Sequence, residues 1–148
     1  MRRIIKNTIV TLICLVAFHV TAEAGKDKPV SVSQLPVAAQ QLLKKHFAGK
    51  KVALAKMESG LFYTDYDVIF TNGDKIEFNG KGEWTEVKCK SAAVPAGIVP
   101  ARIAAYVRQN YPDNRILKIE KDDDEYEVSL SSGIEITFNR DFLVIDID

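Results

Sequence analysis

Apolar and polar positions change rhythm along the chain in a fixed order. From Pro36 to Phe47 the apolar residues Val37, Ala38, Ala39, Leu42, Leu43 and Phe47 share one face at helical spacing, with Ser33 as a start signal before Leu35. The spacing predicts a helix. Strict alternation follows, with Tyr66, Val68, Phe70, Ile76 and Phe78 apolar and Asp67, Lys75 and Glu77 between them, the period of half-buried strands. Asn72-Gly73 between two such runs predicts a hairpin, and Asn79-Gly80-Lys81-Gly82 a second turn.

The same order then recurs. Ile103, Ala104, Tyr106, Val107 and Tyr111 repeat the helical face, and Pro112 ends it. An offset of 64 pairs Leu35-Pro36 with Val99-Pro100, Leu43 with Val107, Phe47 with Tyr111 and Val52 with Ile116. Further on an offset of 60 pairs Tyr66-x-Val68 with Tyr126-x-Val128, Ile76 with Ile136 and Phe78-Asn79 with Phe138-Asn139. The change locates four extra residues near Ser59 to Thr64. Such self-similarity reads as an internal duplication. The expected fold class is α+β: two tandem repeats, about 32–90 and about 96–148, each a helix packed on a four-stranded antiparallel sheet. The strands are expected at 50–57, 61–71, 74–79 and 83–88, then at 115–121, 124–131, 133–139 and 142–147. A unit of about 55 residues has a marginal core, so the two are expected to pack as one domain. Phe142 to Ile147 is apolar on both parities, which predicts a strand covered on both faces or placed centrally.

Before these copies stands a segment of another kind. Arg2, Arg3 and Lys6 precede a mostly apolar run from Thr8 to Val20 that ends in Ala22-Glu23-Ala24, the three parts of a secretory signal peptide. The run is short of the roughly 20 apolar residues that span a bilayer, and no membrane span is expected in the mature chain. Bulky Ile13 before Cys14 argues against lipidation. Cleavage after Ala24 is expected to deliver a periplasmic or secreted protein. Removing 1–24 turns 20 Lys+Arg against 20 Asp+Glu into 17 against 19, a net of −2. A near-neutral chain gives no electrostatic footing for nucleic acid.

The mature chain keeps one cysteine, Cys89, and one histidine, His46. No close-spaced ligand pair can nucleate a zinc site, and a His-centred triad would have to use His46, which follows two lysines at a helix end where a cation is favourable. Glycine-rich phosphate loops, G-x-S-x-G and H-E-x-x-H do not occur. No catalytic residue, cofactor or metal is expected. Asp122-Asp123-Asp124-Glu125 lacks the glycine and spacing of an EF-hand loop and reads as a solvated turn. Cys89 is expected to be buried, with a disulfide-linked dimer as the alternative.

The motif Leu35-Pro36 … Phe47 … Tyr66-x-Val68 … Asn72-Gly73-x-x-Ile76-x-Phe78-Asn79-x-x-Gly82-x-Trp84-x-x-Val87, with its second copy, resembles the PepSY-like, putative β-lactamase-inhibitor-like family of small exported Bacteroidetes proteins. The resemblance spans the mature chain. It implies two helix-plus-four-strand repeats with their last strands exchanged, an inhibitor-like role and no catalytic residues. The second copy departs from it, with Phe142 in place of Gly82 and Val144 in place of Trp84.

The interaction candidates are Phe62, Tyr63, Tyr66 and Trp84. The first copy is the richer in aromatics, exposed aromatics anchor protein partners, and Phe62-Tyr63 falls beside the extra loop residues. The packing alternative is that Tyr66 and Trp84 belong to the core. The leading reading is a non-enzymatic interaction module of the periplasm whose partner is a protein or a cell-envelope component. A small-ligand or metal-binding sensor would need a pocket between the copies, and an enzyme would need Asp65, Asp67 and Glu77 together with raised pKa values.

Overall fold

In the computed structural model, which describes residues 27–148, one row of aliphatic side chains organises the fold. Val30, Ala55, Val68, Ile76, Val87, Ile119, Val128, Ile136 and Ile147 stand opposite one another across nine consecutive antiparallel strands. The strands are β1 (Lys28–Val30), β2 (Val52–Ser59), β3 (Thr64–Phe70), β4 (Lys75–Asn79), β5 (Trp84–Lys88), β6 (Ile116–Lys121), β7 (Glu125–Leu130), β8 (Glu135–Asn139) and β9 (Val144–Ile147). They lie in one sheet in chain order. Two helices, α1 (Val37–His46) and α2 (Ala101–Asn110), contribute Ala39, Leu43, Ile103 and Val107 to the same buried cluster as the part of that row from Ala55 to Ile136. Each large aliphatic or aromatic side chain buried there contributes about 1.5–3 kcal/mol. The predicted leader, 1–24, lies outside the described residues.

This single sheet overturns the expectation of two repeats, each with a helix on its own four-stranded sheet. The edge of β5 that would have ended the first sheet is used by β6, through Glu86↔Glu120, Val87↔Ile119 and Lys88↔Lys118. An unpaired edge strand leaves backbone groups open. Joining the edges satisfies both and merges the apolar faces into one core. No last strand is exchanged, because each strand pairs with its neighbours in sequence.

The helices form where the spacing predicts and are matched position for position. Pro36 and Pro100, with extended backbone, precede α1 and α2, and the Phe47 and Tyr111 N–H groups close them on the carbonyls of Leu43 and Val107. Lys44, Lys45 and His46 occupy the last turn of α1, where positive charge meets the helix dipole.

Three further expectations need correction. The chain before α1, where no strand is expected, contains β1, which caps the edge of β2. The last strand, β9, is neither central nor covered on both faces. It forms an edge, with Leu143, Ile145 and Ile147 exposed. The turn at Phe142, where the second copy departs from the first, forms all the same, at φ 61° against 81° for Gly82. In both turns the asparagine carries the geometry: Asn79 Oδ1 accepts from the N–H groups of Lys81 and Glu83, as Asn139 Oδ1 does from Asp141 and Leu143. The Phe142 ring lies 5.3 Å from Tyr126 with the Arg102 guanidinium over it, which offsets the left-handed backbone.

Candidate functional site

The β2–β3 ladder runs from Val52↔Phe70 to Ser59↔Thr64 and projects a four-residue tip, Gly60 to Tyr63. The Gly60 N–H donates to the Tyr63 carbonyl at 3.0 Å. A Cβ on Gly60 would lie 2.3 Å from the Tyr63 ring, so glycine is what lets that ring fold back over the turn. The Tyr63 hydroxyl then donates to Glu58 at 3.3 Å, and the Glu58 charge pushes the phenol up. Tyr63 is thereby pinned. Leu61 and Phe62 are left almost wholly in solvent, at 93% and 97% exposure. Both Phe62 and Tyr63 lie in the turn, which corrects the expected strand at 61–71 to Thr64–Phe70.

Tyr66 and Trp84 stand within strands. They flank Phe78 in the row Tyr66↔Phe78↔Trp84 and pack half-buried against the core. The Lys121 ammonium sits 4.5 Å over the Trp84 ring. Three of the four aromatic candidates, Phe62, Tyr63 and Tyr66, line one shallow concavity at the tip, and Trp84 lies outside it. Leu61, absent from the sequence candidates, is the tip's third apolar group; its place between Gly60 and Phe62 was a visible signal.

The face of the sheet opposite the apolar row is charged. Asp67, Glu77, Glu86, Glu120 and Glu127 stand in one cross-strand row, where like charges repel. The next row, Lys75↔Lys88↔Lys118, answers it. Lys75 contacts both Asp67 and Glu77, and Lys118 contacts Glu86 at 3.4 Å and Glu120 at 2.9 Å. Burial opposes the charge on both lysines, but the neighbouring carboxylates raise them above the usual lysine value. Asp65 is pushed up by burial and then by Glu58, Glu77 and Asp67. Asp67 and Glu77 are cross-strand partners, both in contact with the single ammonium group of Lys75.

The remaining chemical groups have structural work. Asp122 Oδ1 accepts from the N–H groups of Asp124 and Glu125 and so builds the β6–β7 turn. Among the described residues, no three His, Cys, Asp or Glu side chains converge to hold a metal ion. His46 is half-buried, with its ring against Gly97, rather than facing solvent. Cys89 is 2% exposed, and burial, then Asp74, push its thiol up. A disulfide to a second copy through Cys89 has no surface on which to form. Asp74, which no sequence pattern singles out, is 1% exposed and receives Lys50 Nζ at 2.6 Å, Asn72 Nδ2 at 3.0 Å and the Lys90 N–H at 2.9 Å. Burial alone would raise it, but these three donors together hold the carboxyl below its usual range.

The architecture is therefore one antiparallel sheet with two helices on one face, a charged opposite face and an apolar hairpin tip. Residues 64–146 match the family described as putative beta-lactamase-inhibitor-like, PepSY-like. Two solved structures are more than half identical to the chain. A putative periplasmic protein from Bacteroides vulgatus shares 58% identity over 83% of this chain and 97% of its own, with a TM-score of 0.81. A putative calcium-regulated periplasmic protein from Bacteroides thetaiotaomicron shares 56% over 82% and 96%, with a TM-score of 0.80. A second Bacteroides vulgatus structure, a putative periplasmic protein of unknown function, shares 38% over 83% and 99%, at 0.78. No curated protein matches. The chain belongs to the PepSY-like family. Its structural relatives are described as periplasmic, and no helix among the described residues is long and apolar enough to cross a membrane.

Proposed function

We propose that this protein is an exported, non-enzymatic interaction module of the periplasm that engages a protein or envelope partner through the β2–β3 tip. The observation that carries this reading is the near-complete exposure of Leu61 and Phe62 on a turn held rigid by seven ladder pairs and the Tyr63–Glu58 bond. Large apolar groups on a rigid tip contribute nothing to the monomer and give a partner area to bury at small entropic cost. The family's inhibitor-like description is in keeping with a protein partner. Export follows from the leader, with 1–24 removed after Ala24. The test is quantitative capture from the native periplasm by the mature protein and by a Leu61→Ala/Phe62→Ala variant. Recovery of the main partner is expected to fall at least about tenfold, the effect of losing about 1.4 kcal/mol, with unfolding unchanged within about 0.5 kcal/mol. Equal recovery by both forms would rule the tip out.

A calcium-responsive role is the second reading, favoured by the description of the relative from Bacteroides thetaiotaomicron. Glu120, Asp122, Glu125 and Glu127 line one small hollow on the charged face. Carboxylate oxygens suit Ca²⁺, although a cation would have to draw these side chains together. Calorimetric titration with CaCl₂ should then give a binding heat that Glu120→Gln/Glu127→Gln abolishes. Identical heats for both proteins would dismiss this site.

A further inference from the structure

We propose that the hollow between α2, the 91–97 connector and the start of β6 is a binding site for a small carboxylate with an apolar body. This goes beyond the interaction reading and does not involve the β2–β3 tip. The two helices provide an internal comparison, since each position of α1 has its counterpart 64 residues on in α2. In α1 the corresponding place is plugged. Gln40 lies along it, and its Nε2 donates to the carbonyls of Ser33 at 3.1 Å and Leu35 at 2.8 Å. The counterpart of Gln40 in α2 is Ala104, whose methyl group reaches neither carbonyl.

Beside Ala104 lies a hollow of about 250 Å³ lined also by Ala93, Ala96, Val99, Val107 and Ile116. Its apolar lining offers a water molecule few of the two to four polar partners it needs. An apolar group fits it better. At the rim stand Arg108 and Arg115, and no carboxylate lines the hollow. Arg115 is fixed there by a bond from its Nη1 to the Ser91 carbonyl at 2.9 Å. Arg108 has no ion-pair partner among the described residues. An apolar pocket with two guanidinium groups at its mouth matches a ligand with an apolar body and one anionic end, since a guanidinium binds a carboxylate through paired N–H donors.

The test is an amide chemical-shift titration of the mature protein with sodium octanoate, and with 1-octanol as the uncharged match. Octanoate is expected to give saturable shifts confined to residues around 93–116, with a dissociation constant of about a millimolar, and octanol to bind at least about tenfold more weakly. Ala104→Gln, which copies the plug of α1, should abolish the shifts. If that variant fails to fold, Ala96→Val fills the same hollow from the connector side. Arg108→Gln/Arg115→Gln should reduce octanoate to the level of octanol. The proposal is overturned if octanoate gives no saturable shift, or if a folded filled variant still binds. It is equally overturned if the arginine variant loses thermal stability but binds octanoate unchanged, which would leave Arg108 serving only the helix dipole.

Discussion

At the β3–β4 turn a buried carboxylate gathers an ammonium group, a side-chain amide and a backbone N–H from three segments of the chain. Asp74 joins the end of α1, through Lys50, to the start of the connector at Lys90, so a single residue ties three chain crossings. Replacing it by Asn should cost roughly 2 kcal/mol at pH 7, the worth of hydrogen bonds to a charged group. Because its folded pKa lies below the unfolded value near 4, that stabilisation is complete above about pH 4 and fades as pH falls through the lower folded value. Denaturant unfolding of both proteins from pH 7 to pH 2 should show the gap closing in that window; a gap constant with pH would mean that Asp74 acts by shape alone. The sequence showed only a polar residue after Asn72-Gly73, because the partners that make it singular are 24 and 16 residues away. Leu61 is the opposite case, legible from its neighbours alone.

Elements were the most legible level, and for a plain reason. Helices and hairpins are local, so spacing at 3.6 and 2 residues marked both helices and eight strands to within about three residues, inside the ordinary uncertainty of strand ends. What failed was short or non-local. β1 has three residues with Pro29 at its centre, too little to show a period. The pairing of β5 with β6 depends on an edge meeting an edge across α2, and no pattern within either strand encodes it. That seam is testable. Residues 92–148 expressed alone would expose the edge of β6 and the face around Ile119, so they should self-associate or remain unfolded. A folded monomer by sedimentation velocity, with a dispersed amide spectrum, would show that the second half needs no seam.

Across the described residues chain order and strand order coincide, and only the steps from β1 to β2 and from β5 to β6, each carrying a helix, are long. Contacts are otherwise made between sequence neighbours, which favours fast folding for a β-rich chain. The two outer strands are each blunted: β1 by Pro29 and by its length, β9 by Asp146, whose Oδ1 accepts the N–H of Ile147. The candidate tip was only partly legible at this scale, because which aromatics leave the core depends on where the β2–β3 ladder stops. Strand order also settles how the protein meets mechanical load. Its described ends lie on opposite borders of the sheet, so a pull between them acts across the strands, along the hydrogen bonds. Bonds loaded in that direction break in succession, as in a zipper. Single-molecule stretching from the two ends should give a low, saw-toothed force trace rather than a single high rupture; such a peak would indicate shear between strands instead.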